Sequence, residues 1–189
     1  MQATAAGAEL GSYRLQGVLH QTQRSTVYRA IGADGKAVVI KTPTAENPTP
    51  REIARYQRAY ELARHADARA VVRHLELLRH GASVALVMED TGAQPLSSLI
   101  PQTGLRLARW LELAVGLATA LGRLHGSGVV HKDLNPRNAI VQPDTAEVRL
   151  IDLGIAIRLR RGSLDALPRE QIEGTLAYMS PEQCGLVSS

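Results

Sequence analysis

The chain has 189 residues, 44% of them hydrophobic, enough for one domain or for two small lobes with a buried core. Its net charge of +4 is spread among interspersed acidic residues, and its longest Lys/Arg run is the pair Arg160 and Arg161, so a solvated mixed surface is expected and a nucleic-acid partner is not. The single Cys184 permits no internal disulfide, and no basic start leads into an apolar stretch or a run of about eighteen apolar residues, so neither secretion nor a membrane span is expected and the cytoplasm is the default location.

With no Phe and only 3% aromatic residues, the core must be built from Leu, Val, Ile and Ala. From Tyr13 to Glu89 the apolar residues come in short runs, YRLQGVLH, STVYRA, AVVIKT, VVRHLELL and SVALVME, separated by turn residues such as Gly32, Asp34, Gly35 and Gly81, and these are predicted as strands. One helix interrupts them after Pro48 and Pro50, where REIARYQRAYELARH sets Ile53, Tyr56, Tyr60 and Ala63 at helical spacing. The polar stretch EDTGAQP follows, with residues 90–95 as the candidate hinge. Beyond it, LRLARWLELAVGLATALGRLH carries a wide apolar face, Leu107, Trp110, Leu111, Leu113, Ala114, Leu117, Ala118, Leu121 and Leu124, and is predicted as a long, mostly buried helix ended by Gly126 and Gly128.

The chemistry is concentrated in VVHKDLNPRNAIV, Val129 to Val141, and in VRLIDLGIA shortly after it. An apolar pair delivers a polar loop holding His131, Asp133 and Asn138, a short strand leaves it, and a second strand ends at Asp152 before Leu153 and Gly154. Phosphoryl transfer uses this combination: one carboxylate orients an attacking hydroxyl and takes its proton, and a second, with an amide oxygen, holds Mg²⁺ on the phosphates. Asp, Asn, Pro and Gly are also the ordinary residues of turns, and each segment alone has that plainer explanation; the order and spacing of the set argue against it.

Together these segments are similar to the signature set of protein kinases. HKDLNPRN resembles the catalytic loop, IDLG the metal-binding segment with Leu in place of Phe, and GTLAYMSPEQ, Gly174 to Gln183, the end of the activation segment. The wording of the match resembles serine/threonine kinase modules at the front of large bacterial signalling proteins. The resemblance implies an α+β, two-lobe fold: a flexible N-terminus over 1–12, an N-lobe of antiparallel sheet and one helix over 13–89, a hinge over 90–95, and an incomplete helical C-lobe over 96–189 with catalytic loop and activation segment. It implies ATP and Mg²⁺ as cofactors, a protein substrate, and further domains in a longer parent. By the same resemblance Asp133 orients the substrate hydroxyl, Asn138 and Asp152 hold metal, and Lys41, one of three lysines, contacts the α and β phosphates. Leu19, Val27 and Val39 lie above the adenine, Ile140 below it, Met88 at the back, and Glu89 starts the hinge. Gly154 opens the activation segment and Pro181 and Glu182 close it, while Thr175 bonds Asp133; His131 packs as a structural residue.

The pattern departs from the family at named positions. The glycine-rich loop carries His20, Thr22 and Ser25 where glycines are expected, which predicts a weaker hold on phosphate. The helix glutamate that pairs with the strand lysine aligns on Ala59, with Glu52 and Glu61 off register. Lys132 stands where many members carry Arg, and loses the planar fork that grips a phosphorylated loop, although Ser163 and Thr175 offer hydroxyls. Asn135 replaces the usual Lys, removing a positive charge near the transferred phosphate. The chain stops at Ser189, shortly after Glu182, so apolar residues of the long helix are expected to be exposed. These departures keep a second reading open, a pseudokinase or scaffold that binds nucleotide or partners without efficient catalysis. A small-molecule phosphotransferase of the aminoglycoside type shares an Asp…Asn loop, but GTLAYMSPEQ argues against it.

Overall fold

In a computed structural model that describes residues 7–101, 104–159 and 173–185, the short apolar runs of the first half form strands of one antiparallel sheet. These are β1 (Glu9–Leu10), β2 (Tyr13–Gln21), β3 (Ser25–Ile31), β4 (Ala37–Pro43), β5 (His74–His80) and β6 (Ser83–Glu89), in the order β1-β2-β3-β4-β6-β5. Alternation decides which face each residue takes. Leu15, Tyr28, Ala30, Val38, Ile40, Ala85 and Val87 point to one side and form a buried hydrophobic cluster, each large member contributing about 1.5–3 kcal/mol by leaving water. The opposite face carries Val27, Val39 and Lys41.

Helix α1 (Pro50–His65) starts from a capping box written in the sequence as Thr-Pro-Arg-Glu. The Thr49 amide and hydroxyl both donate to the Glu52 carboxylate at 2.8 Å, and the Glu52 amide donates back to Thr49 Oγ1 at 3.3 Å. Pro50 at the first helical position has no amide to leave unpaired. The cap contributes about 1 kcal/mol and holds the Glu52 side chain at the helix start. The buried stripe of α1 is Tyr56, Ala59 and Leu62, whereas Ile53, Tyr60 and Ala63 are only half-buried; the packed face thus lies one position away from the one the spacing suggested.

The second half supplies β7 (Gln94–Pro95), a single turn α2 (Leu96–Leu99), α3 (Leu107–Gly126), β8 (Val129–Val130), β9 (Ala139–Val141), β10 (Val148–Leu150), β11 (Ile157–Arg158) and a 3₁₀ turn (Leu176–Tyr178). β10, β9 and β7 form a small antiparallel sheet, and β11 pairs with β8. Gly128 takes the left-handed backbone (φ 72) just past the helix, as its lack of a side chain permits. α3 departs from its predicted burial. Only Leu113, Ala120 and Leu124 are buried, while Leu107, Trp110, Leu111 and Val115 are 71%, 56%, 48% and 66% exposed. The helix packs one side against β8 and β10, and Ala114, Leu117 and Leu121 of its wide apolar face are half-buried.

Two compact units result: one joins the chain up to Arg64 with Arg73–Thr91, the other joins His65–Val72 with the chain from Gly92 onward. The run VVRHLELL is therefore not one strand. Val71 bridges Leu150 in parallel and the Val72 amide donates to the Leu150 carbonyl at 3.1 Å, so its first two residues belong to the second unit, and β5 begins only at His74.

Candidate active site

Within the second unit the β9–β10 hairpin sets the frame. Leu150 pairs with Ala139, and one step further the Ile151 amide donates to the Asn138 carbonyl at 2.9 Å. Asn138, just before β9, and Asp152, just after β10, are thereby brought to the same end of the hairpin from 14 positions apart in sequence. Asp152 has φ 64, a left-handed conformation that Asp tolerates better than most residues at a cost of about 1–2 kcal/mol. The wholly buried Leu153 beside it anchors the segment. Gly154 is buried next in line.

The loop between β8 and β9 is held by its own polar side chains. His131 is 2% exposed; its Nδ1 accepts the Asp133 amide at 3.3 Å, so its Nε2 carries the proton and donates to the Ile151 carbonyl at 2.8 Å. The imidazole thus ties the loop to the strand that leads into Asp152, the packing role expected of it. Burial pushes its pKa below the usual range, with the bond to Ile151 and the carboxylates of Asp152 and Asp133 pulling the other way. The unfolded chain protonates near pH ~6.5 while the folded chain resists. This contribution to stability is therefore present above that pH and is lost as pH falls through the depressed folded value. The urea midpoint should drop between about pH 7 and about pH 5, and the drop should be smaller in His131→Gln; an unchanged pH profile in that variant would contradict the assignment.

Asp133 is the most heavily engaged side chain of the loop. Its Oδ1 accepts the Thr175 amide at 2.8 Å, the Thr175 hydroxyl at 2.7 Å and Asn135 Nδ2 at 3.2 Å. Its Oδ2 accepts Asn138 Nδ2 at 3.0 Å, and the same nitrogen donates to the Asp133 carbonyl at 2.9 Å. Oδ1 is crowded by three donors and Oδ2 has one, so Oδ2 is the oxygen with room for a further hydrogen bond. Because Nδ2 of Asn138 is turned to Asp133, its Oδ1 is the atom left to offer a cation.

Thr175, Asp133 and Asn138 are thus joined directly, and Asp152 sits on the same strand end. Ile140 lies in β9, opposite Arg149 and Pro95. Pro181 and Glu182 are exposed on the turn after Ser180. In the first unit the sheet register puts Val27 opposite Lys41 and Lys41 opposite Leu86, with Arg29, Val39 and Met88 in the adjacent row. Val27, Val39 and Lys41 therefore share a face, Met88 is buried, and Leu19 on β2 is 46% exposed. The Glu89 carboxylate accepts the Arg73 amide at 3.1 Å. Ser163 lies outside the described residues.

Two residues contribute more than their sequence context indicated. Asn135, read as the loss of a lysine, is buried: it donates to the Asp133 carbonyl and carboxylate and to Thr175 Oγ1, each at 3.2 Å, and accepts the Arg137 amide at 2.9 Å. A buried Asn with both ends satisfied is a loop organiser; the turn pattern Asn-Pro-Arg-Asn was the available signal. Gln183 is the second. Its Nε2 donates to the Lys132 carbonyl at 2.8 Å and its Oε1 accepts the Ser180 amide and hydroxyl. Lys132 has φ 68, and a Cβ on Gly174 would stand 3.1 Å from the same carbonyl, so glycine is what lets the two segments approach. Nothing local marks a contact spanning 51 residues.

Residues 13–187 match the family model described as the protein kinase domain. The chain belongs to the protein kinase family. It is 31% identical over 184 residues to the serine/threonine-protein kinase PknA of Mycobacterium tuberculosis, a match covering 92% of this chain and 41% of that protein. It is 34% identical over 187 residues to the serine/threonine-protein kinase AfsK of Streptomyces griseus, covering 92% of this chain and 21% of the relative. The chain therefore spans less than half the length of these curated relatives. Its kinase signatures fall on the loop, strand ends and segment described above. No helix among the described residues is long and apolar enough to cross a membrane.

Proposed function

We propose that this kinase chain transfers the γ-phosphoryl group of ATP to serine or threonine hydroxyls of a protein substrate, as part of a signalling protein with further domains. The observation that carries the proposal is the clamped carboxylate: Thr175 and Asn135 fix Asp133 Oδ1, leaving Oδ2 beside Asn138 to orient a hydroxyl and take its proton. Serine/threonine kinases among the relatives support the choice of hydroxyl class.

Asn138 and Asp152 fit a Mg²⁺ ion, because they bring an amide oxygen and a carboxylate to one strand end, the hard donors this cation takes while keeping water and phosphate oxygens in its shell. When bound, the cation would neutralise charge on the phosphates. On the sheet of the first unit, Lys41 would add a point charge on the α and β phosphates, and Leu19, Val27, Val39 and Met88 would meet the adenine, with Glu89 at its edge. Asp133 positions its carboxylate through bonds already made in the fold, so little reorganisation is left for the reaction.

A second reading, a pseudokinase that binds nucleotide or partners, is favoured by α1: Ala59 is buried where the family glutamate aligns, and Glu52 is held at the cap by Thr49. Incubation of the chain with labelled Mg-ATP and a mixture of Ser- and Thr-containing peptides separates the two. Label should appear on peptide hydroxyls, and Lys41→Met should lower transfer at least about tenfold with the fold intact. A nucleotide-induced rise in melting temperature without any transfer would support the pseudokinase instead.

A further inference from the structure

The turn between β2 and β3 stands where the family places its phosphate-covering glycines, yet its donors face inward. The Thr22 hydroxyl oxygen accepts the Arg24 amide at 3.2 Å and the Ser25 amide at 3.0 Å, and lies 3.2 Å from the Ser25 carbonyl, to which it donates. The Thr22 amide donates to the same carbonyl at 2.9 Å. Three of the turn's amides are thus satisfied within the turn. Its outer carbonyls are braced as well: Thr44 Oγ1 donates to the Thr22 carbonyl at 3.0 Å, the Thr44 amide donates to the Arg24 carbonyl at 3.1 Å, and Thr26 Oγ1 lies 3.2 Å from Thr44 Oγ1.

Backbone amides of such a turn bind phosphate oxygens only when they are free to point at them. A glycine at position 22 would have no hydroxyl to draw them in and no Cβ to restrict the backbone. Thr22 does both. We infer that Thr22 is a latch that sets nucleotide affinity: its hydroxyl withdraws the Arg24 and Ser25 amides from phosphate, so that the chain distinguishes ATP from adenosine less than an open turn would. This rests on the nucleotide-binding reading above and adds to it the residue that limits the phosphate contribution. The replaced glycine is visible in sequence; that the replacement consumes the donors is visible only in the hydrogen bonds.

The test compares wild type with Thr22→Val, which keeps the β-branched shape without the hydroxyl, with Thr22→Gly, and with Thr22→Ser, which restores the acceptor. Dissociation constants for adenosine and for Mg-ATP are measured calorimetrically on each, and amide hydrogen exchange is followed at Arg24 and Ser25. The ratio of the adenosine constant to the ATP constant should rise roughly tenfold in Thr22→Val and Thr22→Gly, since a freed amide gains a charged acceptor, and should stay at the wild-type value in Thr22→Ser. Exchange at both amides should speed up in Thr22→Val alone of the two β-carbon-bearing variants. An unchanged ratio in variants that bind nucleotide, or unchanged exchange in Thr22→Val, overturns the latch and leaves the nucleotide reading standing. Absence of adenosine and ATP binding from every variant overturns both.

Discussion

Asp133→Asn should lower phosphoryl transfer by about two to four orders of magnitude while the protein stays folded. The substitution keeps the shape of the side chain and one oxygen for the Thr175 amide and hydroxyl, both within 2.8 Å of Oδ1 in the wild type. It replaces the oxygen that meets Asn138 Nδ2 at 3.0 Å by a second amide nitrogen, so two donors would face each other. Asn138 retains the Asp133 carbonyl at 2.9 Å, which limits the stability loss to about 1 kcal/mol. The loss in rate therefore has to come from the missing base and not from unfolding, and the two are separated by measuring single-turnover transfer and the urea midpoint on the same preparation. Transfer that survives at the wild-type rate would remove Asp133 from its proposed role.

Leu150→Ala should cost about 2–5 kcal/mol of stability, the largest effect expected of any single truncation away from the polar loop. Leu150 is fully buried in β10, and its backbone is the meeting point of three segments: it pairs with Ala139, its amide donates to the Ala70 carbonyl at 2.7 Å, and its carbonyl accepts the Val72 amide at 3.1 Å. The cavity left by the side chain would loosen the strand that carries Ile151 and Asp152, so transfer should fall along with stability. Urea unfolding of the variant reads the first effect. A change in unfolding free energy of under about 0.5 kcal/mol would show that the strand is not packed as described.

What could be read from sequence was whatever short-range chemistry writes into neighbouring residues. The strands from Tyr13 to Glu89 follow from short apolar runs between turn residues, and Asp133, Asn138 and Asp152 stand out through motifs whose members are few positions apart. Thr49 and Glu52 form a capping box of the kind the same spacing rules contain. Burial of α3 does not follow from its sequence, because periodicity reports how many apolar residues share a face and not whether a neighbour covers it; Trp110 and Val115 are apolar and exposed all the same. Val71 and Val72 read as the start of a strand because an apolar run does not say which sheet it joins, and the bridge to Leu150 decides it. Asn135 looked like a deletion of charge because its gain, three donated bonds around Asp133, depends on Thr175 being brought back across 40 residues. The bonds of Gln183 and of Thr22 could not be read for the same reason, at long and short range respectively: hydrogen-bond direction is a property of the folded backbone.

Labour is divided in the proposed site between two carboxylates, Asp152 with Asn138 for the cation and Asp133 for the hydroxyl, and the affinity of ATP as a function of Mg²⁺ tests that division most directly. Calorimetric titrations on Asp152→Asn and Asp133→Asn should give a Mg²⁺ dependence that is lost in the first and kept in the second. Loss of the dependence in Asp133→Asn with its retention in Asp152→Asn would contradict the assignment of both.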